Sequence, residues 1–259
     1  MIVIVPVAGR GSRFLEAADQ NPEYAKPKPF ISIKGKPMVQ WALESLTNSG
    51  FEIPASNMVF ICRQEQEDEY GFSGKLKEIF GQDINVVFQT TPLKGATDTV
   101  LVAKEFLNTD EDVIVSDSDH YFDATSLYET IQAKDEDVAG VIPVFQPPDK
   151  EPKWSFTLFD ENKVALAVGE KDAELAAKGA WANIGGYYFA KGKYFVEEAE
   201  EMIASGDMYG AEGKKEFYVA PIYDRMIKKG KKIMVAKIPQ VWGLGTPKDV
   251  EYFLENFKE

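Results

Sequence analysis

Short apolar runs recur along this chain with helix-forming stretches between them, and nothing else in the sequence restricts its fold as much. IVIVPV (2–7), NMVFIC (57–62), INVVFQ (84–89) and DVIVSD (112–117) are rich in β-branched residues and carry almost no polar alternation. A strand of that composition is buried on both faces, the condition of a strand inside a parallel sheet covered by helices. The intervening segments supply the helices: PMVQWALESL (37–46), with Gly50 as its stop, and a helical pattern over 96–107. The alternation predicts an α/β fold with a mostly parallel sheet flanked by helices.

Beyond Val138 the rhythm changes. AGVIPVF, then WSFTLFD and KVALAVGEK joined by an Asp160-Glu161-Asn162 turn, then NIGGYYFA, read as antiparallel or mixed strands added to the sheet. Helical segments follow near 192–205, 217–229 and 247–257, with KIMVAKI between the last two. No repeat or low-complexity linker interrupts the chain, so residues 1–259 are expected to form one domain whose halves meet near residue 135.

The 259 residues, 44% of them hydrophobic, suffice for a sizeable core. A formal net charge of -13 excludes the extended basic surface that nucleic acid or an anionic membrane requires. The first 36 residues depart from that balance: Arg10, Arg13, Lys26, Lys28, Lys34 and Lys36 oppose only Glu16, Asp19 and Glu23. Any anion site is therefore local. The single cysteine, Cys62, lies in an apolar run and reads as a buried thiol, and no run is long enough to span a membrane. The cytoplasm is the expected location; the oligomeric state is open, a homo-oligomer included.

The basic island surrounds the loop Gly9-Arg10-Gly11-Ser12-Arg13, at the carboxyl end of the first strand, where ligands bind in open parallel sheets. Glycines bring backbone N–H groups close to an anion, and Arg13 adds a fork of donors. The loop is neither a dinucleotide fingerprint, since Phe14 stands where the third glycine belongs, nor a Walker loop. Downstream, prolines on both sides of Lys28 predict that this lysine sits on a stiff, extended segment. Farther on, VIVSDSDHYF places Asp117 and Asp119 on one side of an extended chain, hard oxygen donors suited to Mg²⁺. His120, the only histidine, reads as a neutral hydrogen-bonding residue.

GRGSRF, PKPFISIKGKPM, QTTPLKGATDTV, VSDSDHYF and VGEK together, in this order, resemble the sugar-phosphate nucleotidyltransferases, the nucleotide-sugar pyrophosphorylase family. The resemblance implies a Rossmann-like, GT-A-like nucleotidyltransferase fold with a nucleotide-binding half (about 1–135) and an acceptor-binding half (about 136–259). By this resemblance Arg13 and Lys28 are the catalytic cations, with Lys26 a second candidate beside Lys28. Ala8, Gly9, Gly11, Ser12, Gln89 and Gly95 hold the nucleotide, Asp119 and Asp117 bind Mg²⁺, and Glu170, Lys171, Asn183 and Gly185 hold the acceptor. The implied partners are a nucleoside triphosphate and a phosphorylated small molecule, with no nucleic acid and no membrane.

One position departs from the family pattern. Relatives carry W-x-D-x-G-T near the end, its Asp a second metal ligand; this chain reads VWGLGT, with Gly243 at the Asp position. Sugar 1-phosphate nucleotidyl transfer leads the expectations. Cytidylyl transfer to a small non-sugar phosphate comes next, and a D-x-D glycosyltransferase or a non-catalytic nucleotide-binding protein follow.

Overall fold

The computed structural model describes residues 1–147, 153–210, 212–213 and 215–258. The strands are β1 (Ile2–Pro6), β2 (Ser32–Ile33), β3 (Lys36–Pro37), β4 (Met58–Arg63), β5 (Asn85–Gln89), β6 (Val113–Ser116) and β7 (His120–Phe122) in the first half. The second half adds β8 (Val138–Phe145), β9 (Ser155–Phe159), β10 (Ala165–Glu170), β11 (Trp181–Asn183), β12 (Gly186–Phe189), β13 (Lys232–Lys237) and β14 (Val241–Gly243). Among the described residues one ten-stranded sheet runs in the order β10-β9-β11-β8-β12-β6-β1-β4-β5, with β13 beside β8. β6, β1, β4 and β5 are mutually parallel; β12 enters antiparallel between β6 and β8 and so joins the halves. This is the mixed sheet the sequence predicts.

Its strands are buried because alternate residues feed two cores. Ile4, Val59 and Ile61 face one core, packed with Phe195, Ala199 and Met226 of the helices Gly192–Ser205 and Ala220–Lys228. Val3, Val5, Phe60 and Cys62 face the other, with Val39, Leu43 and Leu46 of the helix Met38–Thr47. Each fully buried side chain of this size stabilises the fold by about 1.5–3 kcal/mol relative to exposure. A third cluster fastens the helix Pro247–Asn256 through Val250 and Phe253 against Phe14, Tyr24 and Trp41.

Four local expectations need correction. The helix Met38–Thr47 ends at Asn48, and Gly50, at φ +96°, turns the chain into Phe51 two residues later. The pattern over 96–107 is not one helix: Ala96–Val100 and Lys104–Leu107 are separated by a 3₁₀ turn, Leu101–Ala103, whose last residue leaves the α region at ψ 24°. The helix expected from 217 begins at Ala220, with Pro221 in its first turn, where a missing N–H costs no hydrogen bond. Finally, Lys28 opens a 3₁₀ turn, Lys28–Phe30, rather than lying extended. Proline at the second position of so short a turn sacrifices no donor, and Phe30 N–H and Ile31 N–H close it onto the carbonyls of Pro27 and Lys28.

Candidate functional site

The carboxyl ends of β1, β4, β5 and β6 open into a cleft of about 690 Å³, a volume typical of small-molecule sites. Its walls include Ala8, Gly9 and Arg10 after β1, Arg63 at the end of β4, Gln89 at the end of β5 with Thr90 after it, Gly95, and Asp117 and Asp119 after β6. Lys28 reaches it from the 3₁₀ turn. Gly11 makes that approach possible: it sits at φ +65°, and a Cβ there would lie 2.9 Å from Lys28 Cβ. Gly9 is bare toward open space, so its glycine leaves the cleft wall clear.

Lys28 Nζ donates to Asp119 Oδ2 at 2.5 Å. Burial is the largest influence on Asp119 and acts to raise its pKa, yet Lys28, with His120 and Arg13, holds the carboxyl below the usual range. Its neighbour behaves oppositely. Burial first, then repulsion by Asp119, pushes Asp117 up to about 7 despite Lys28. Asp117 is seated by Gly185: its N–H donates to the Gly185 carbonyl at 2.7 Å, and a Cβ on Gly185 would lie 1.9 Å from Asp117 Oδ2. Gly185 stands where β11 ends and β12 begins along the same β8. Between the Asn183↔Val144 and Tyr188↔Val141 pairs, five steps along one chain oppose three along the other. Such bulges re-aim a strand next to a site.

Oxygens of Asp117 and Asp119 and a ring nitrogen of His120 lie within 4.8 Å of one another. Two carboxylates and an imidazole fit a divalent cation. Burial pushes His120 down to about 4, so the ring is neutral, but its buried Nε2 has no hydrogen-bond partner among the described residues, unlike the bonded histidine the sequence suggested.

Gln89 lines the cleft with its Nε2 donating to the Thr91 carbonyl at 2.8 Å. Gly95, also in the wall, is pressed against Phe217, whose carbonyl would stand 2.5 Å from a Cβ there. The remaining expected residues lie off the cleft wall. Arg13 is exposed on the short helix Ser12–Leu15 that Ser12 opens, and it acts on Asp119 through its charge. Lys26 is paired with Glu23 at 2.6 Å. Glu170 is nearly covered, and its carboxyl is raised to about 6, chiefly by burial. Lys171, in the left-handed region at φ +54°, donates to Tyr218 OH at 2.8 Å and lies 4.0 Å from Glu170. Asn183 is buried and bonded to the hydroxyls of Thr157 and Ser155.

Arg10, which the reading of the glycine loop left without a role, lies in the cleft wall, as do Arg63 and Glu216, which sequence reasoning passed over. Arg63 carried a usable signal: it is the first charged residue after an apolar strand that ends beside the glycine loop. Asp249 was also passed over; in the first turn of its helix it accepts from Oγ1 of the cap residue Thr246 at 2.6 Å, and it lies 3.5 Å from where a Cβ on Gly243 would project.

A family model described as nucleotidyl transferase matches residues 4–236. The N-acetylmuramate alpha-1-phosphate uridylyltransferase of Neisseria meningitidis is 24% identical over 176 residues, 65% of this chain and 69% of its own length. The nucleoside-diphosphate-sugar pyrophosphorylase of Vibrio cholerae superposes with a TM-score of 0.75 at 21% identity, over 98% of this chain and 100% of that one. The inositol-1-phosphate CTP transferase of T. maritima does so with a TM-score of 0.69 at 15% identity, over 99% and 97%. Both superpositions show a shared fold.

Proposed function

Because this chain belongs to the nucleotidyl transferase family, we propose that its cleft binds a nucleoside triphosphate and passes the nucleotidyl group to a sugar 1-phosphate, releasing pyrophosphate. The observation that carries this reading is the convergence of Gly9, Lys28, Gln89, Gly95, Asp117 and Asp119 on one cleft at the carboxyl ends of parallel strands. The name of the Neisseria relative, a uridylyltransferase for a sugar 1-phosphate, supports the choice of acceptor.

In this reaction an acceptor phosphate oxygen forms a bond to the α-phosphorus while the bond from that phosphorus to the β-phosphate oxygen breaks. Two polyanions must meet, so the protein's task is neutralisation and alignment. Lys28 leaves its pairing with Asp119 for the α-phosphate, the amides of the glycine loop and Arg13 take the outer phosphates, and Lys171 meets the acceptor phosphate. Lys171 is held by its bond to Tyr218 OH, with the Glu170 carboxyl 4.0 Å away. Asp117 and Asp119 would hold Mg²⁺, which supplies further neutralisation of phosphate charge. Pyrophosphate release tests the reading, with UTP, dTTP, GTP, CTP and ATP each offered glucose 1-phosphate, N-acetylmuramate 1-phosphate or inositol 1-phosphate. Release that depends on a sugar 1-phosphate supports it. Release only with inositol phosphate moves the acceptor to a non-sugar class, and no release with any pair sinks it.

A further inference from the structure

Two polar atoms in the cleft wall are buried without a hydrogen-bond partner among the described residues, and they are of opposite sense: Arg63 Nε, a donor, and Gln89 Oε1, an acceptor. They belong to register partners at the ends of adjacent parallel strands, Arg63↔Gln89. Partners in register carry their side chains on the same face of a sheet. The two atoms do not satisfy each other, and leaving such atoms unpaired costs free energy. Each is also fixed by its surroundings. Gln89 directs one N–H of its amide to the Thr91 carbonyl, which sets the orientation of the amide and leaves the oxygen as its buried, unpartnered acceptor. Arg63 has one weak partner, Glu65 at 3.3 Å, which is 77% exposed. Its backbone N–H is held by Gln66 Oε1 at 2.9 Å, and Gln66 in turn reaches the carbonyls of Val7 and Gly9 at 3.4 Å. The strand end that bears Arg63 is thereby tied to the glycine loop.

β4 lies between β1 and β5, so Arg63 stands between the glycine loop and Gln89. A nucleotide whose phosphates lie at that loop and whose base lies at Gln89 passes over it. We infer that Arg63 and Gln89 together select a base that carries a carbonyl beside a ring N–H. The guanidinium donates to the carbonyl and Gln89 Oε1 accepts from the N–H. Uracil and thymine offer this edge at O4 and N3, and guanine at O6 and N1. Cytosine has a carbonyl beside an unprotonated nitrogen, and adenine has no carbonyl. Arg63 is thus a specificity-determining residue, and the inference rests on the nucleotidyltransferase reading of the cleft.

Isothermal titration with UTP, dTTP, GTP, CTP, ATP and inorganic tripolyphosphate tests it, on the wild-type chain and on Arg63→Met, Gln89→Leu and Gln89→Glu. The tightest of UTP, dTTP and GTP binds about ten-fold or more better than CTP and ATP. Arg63→Met and Gln89→Leu shrink that gap to roughly three-fold or less, Gln89→Glu keeps it by retaining an acceptor, and tripolyphosphate binds all four proteins alike. Melting temperatures confirm that the variants are folded. CTP or ATP binding as tightly as the others overturns the inference, as does an unchanged gap in Arg63→Met. If tripolyphosphate binds but no base is preferred, only this inference fails. If neither nucleotide nor tripolyphosphate binds, the reading of the cleft fails and takes the inference with it.

Discussion

At the scale of single residues, the ion pair between Lys28 and Asp119 orders the chemistry of the cleft. The lysine is held beside the carboxylate, so in the proposed reaction an arriving phosphate would meet a cation already in place. Lys28→Ala is expected to lower turnover by about 10²- to 10³-fold, with a smaller drop in melting temperature from leaving the Asp119 carboxylate unpaired. A variant with wild-type turnover would remove Lys28 from the mechanism. Asp117 supplies a second test, in stability. Its carboxyl is raised to about 7 in the fold against an ordinary value near 3.8, so the folded chain keeps a proton that the unfolded chain gives up. That contribution is fully present below pH ~4 and is lost as pH rises through ~7. In chelator-treated protein Asp117 therefore pulls the melting temperature down over this window, with Glu170, raised to about 6, acting in the same sense and His120, lowered to about 4, in the opposite one. Asp117→Asn, which cannot ionise, removes its share, so the melting temperature of this variant drops less, or rises more, with pH than that of the wild type. An unchanged slope in Asp117→Asn would place the titration elsewhere.

At the scale of elements, the junction of β11 and β12 shows how close packing aims a carboxylate at the cleft. The strand bulges at Gly185, and Asp117 fills the space that a side chain there would occupy. Gly185→Ala forces the carboxylate aside, since the nearest atoms are the side chain of Asp117 itself. Overpacking of this kind costs about 1–3 kcal/mol. Turnover measured beside thermal unfolding should show a larger loss of activity than of stability, whereas wild-type turnover would mean that the position of Asp117 is not critical. The elements themselves were largely legible. Uniform apolar runs gave the strands because burial on both faces demands them, and the hairpin of β9 and β10 followed from Asp160, whose Oδ1 accepts from Asn162 and Val164. What escaped was local or distant competition. Lys28 took a 3₁₀ turn because its bonds need no N–H from Pro29. The insertion of β12 beside β6 was illegible because strands apolar on both faces carry no pattern that sets their partner. In the cleft, motif residues were readable, but Arg63 belongs to no motif, and its place follows from the order of strands.

At the scale of the whole molecule, the question is whether a nucleotide bound in the first half stabilises the second. The sheet argues that it does: β12 pairs with β6 on one side and β8 on the other, so the strand that ends just before Asp117 cannot leave without breaking the pairing that anchors the later strands. The core makes the same connection, since Ile4 and Val115 share one cluster with Ile142, Val235 and Met226. Two tryptophans report on the two regions. Trp41 is buried and donates to the Ile33 carbonyl at 2.8 Å in the first half, while Trp181 lies in β11 against Phe159 in the second. At a nucleotide concentration of 100 times Kd, mass action adds about 2.7 kcal/mol, which in a chain of this size raises the melting temperature by roughly 5–10 °C. If the sheet unfolds as one unit, single-tryptophan variants that retain only Trp41 or only Trp181 register the same shift at the same temperature. If the shift appears at Trp41 alone, the second half melts independently and binding in the cleft does not reach it. A shift at neither tryptophan would leave the cleft without a nucleotide. Equal shifts would mean that both halves melt in one cooperative transition, so that a nucleotide bound in the cleft also steadies Glu170 and Lys171.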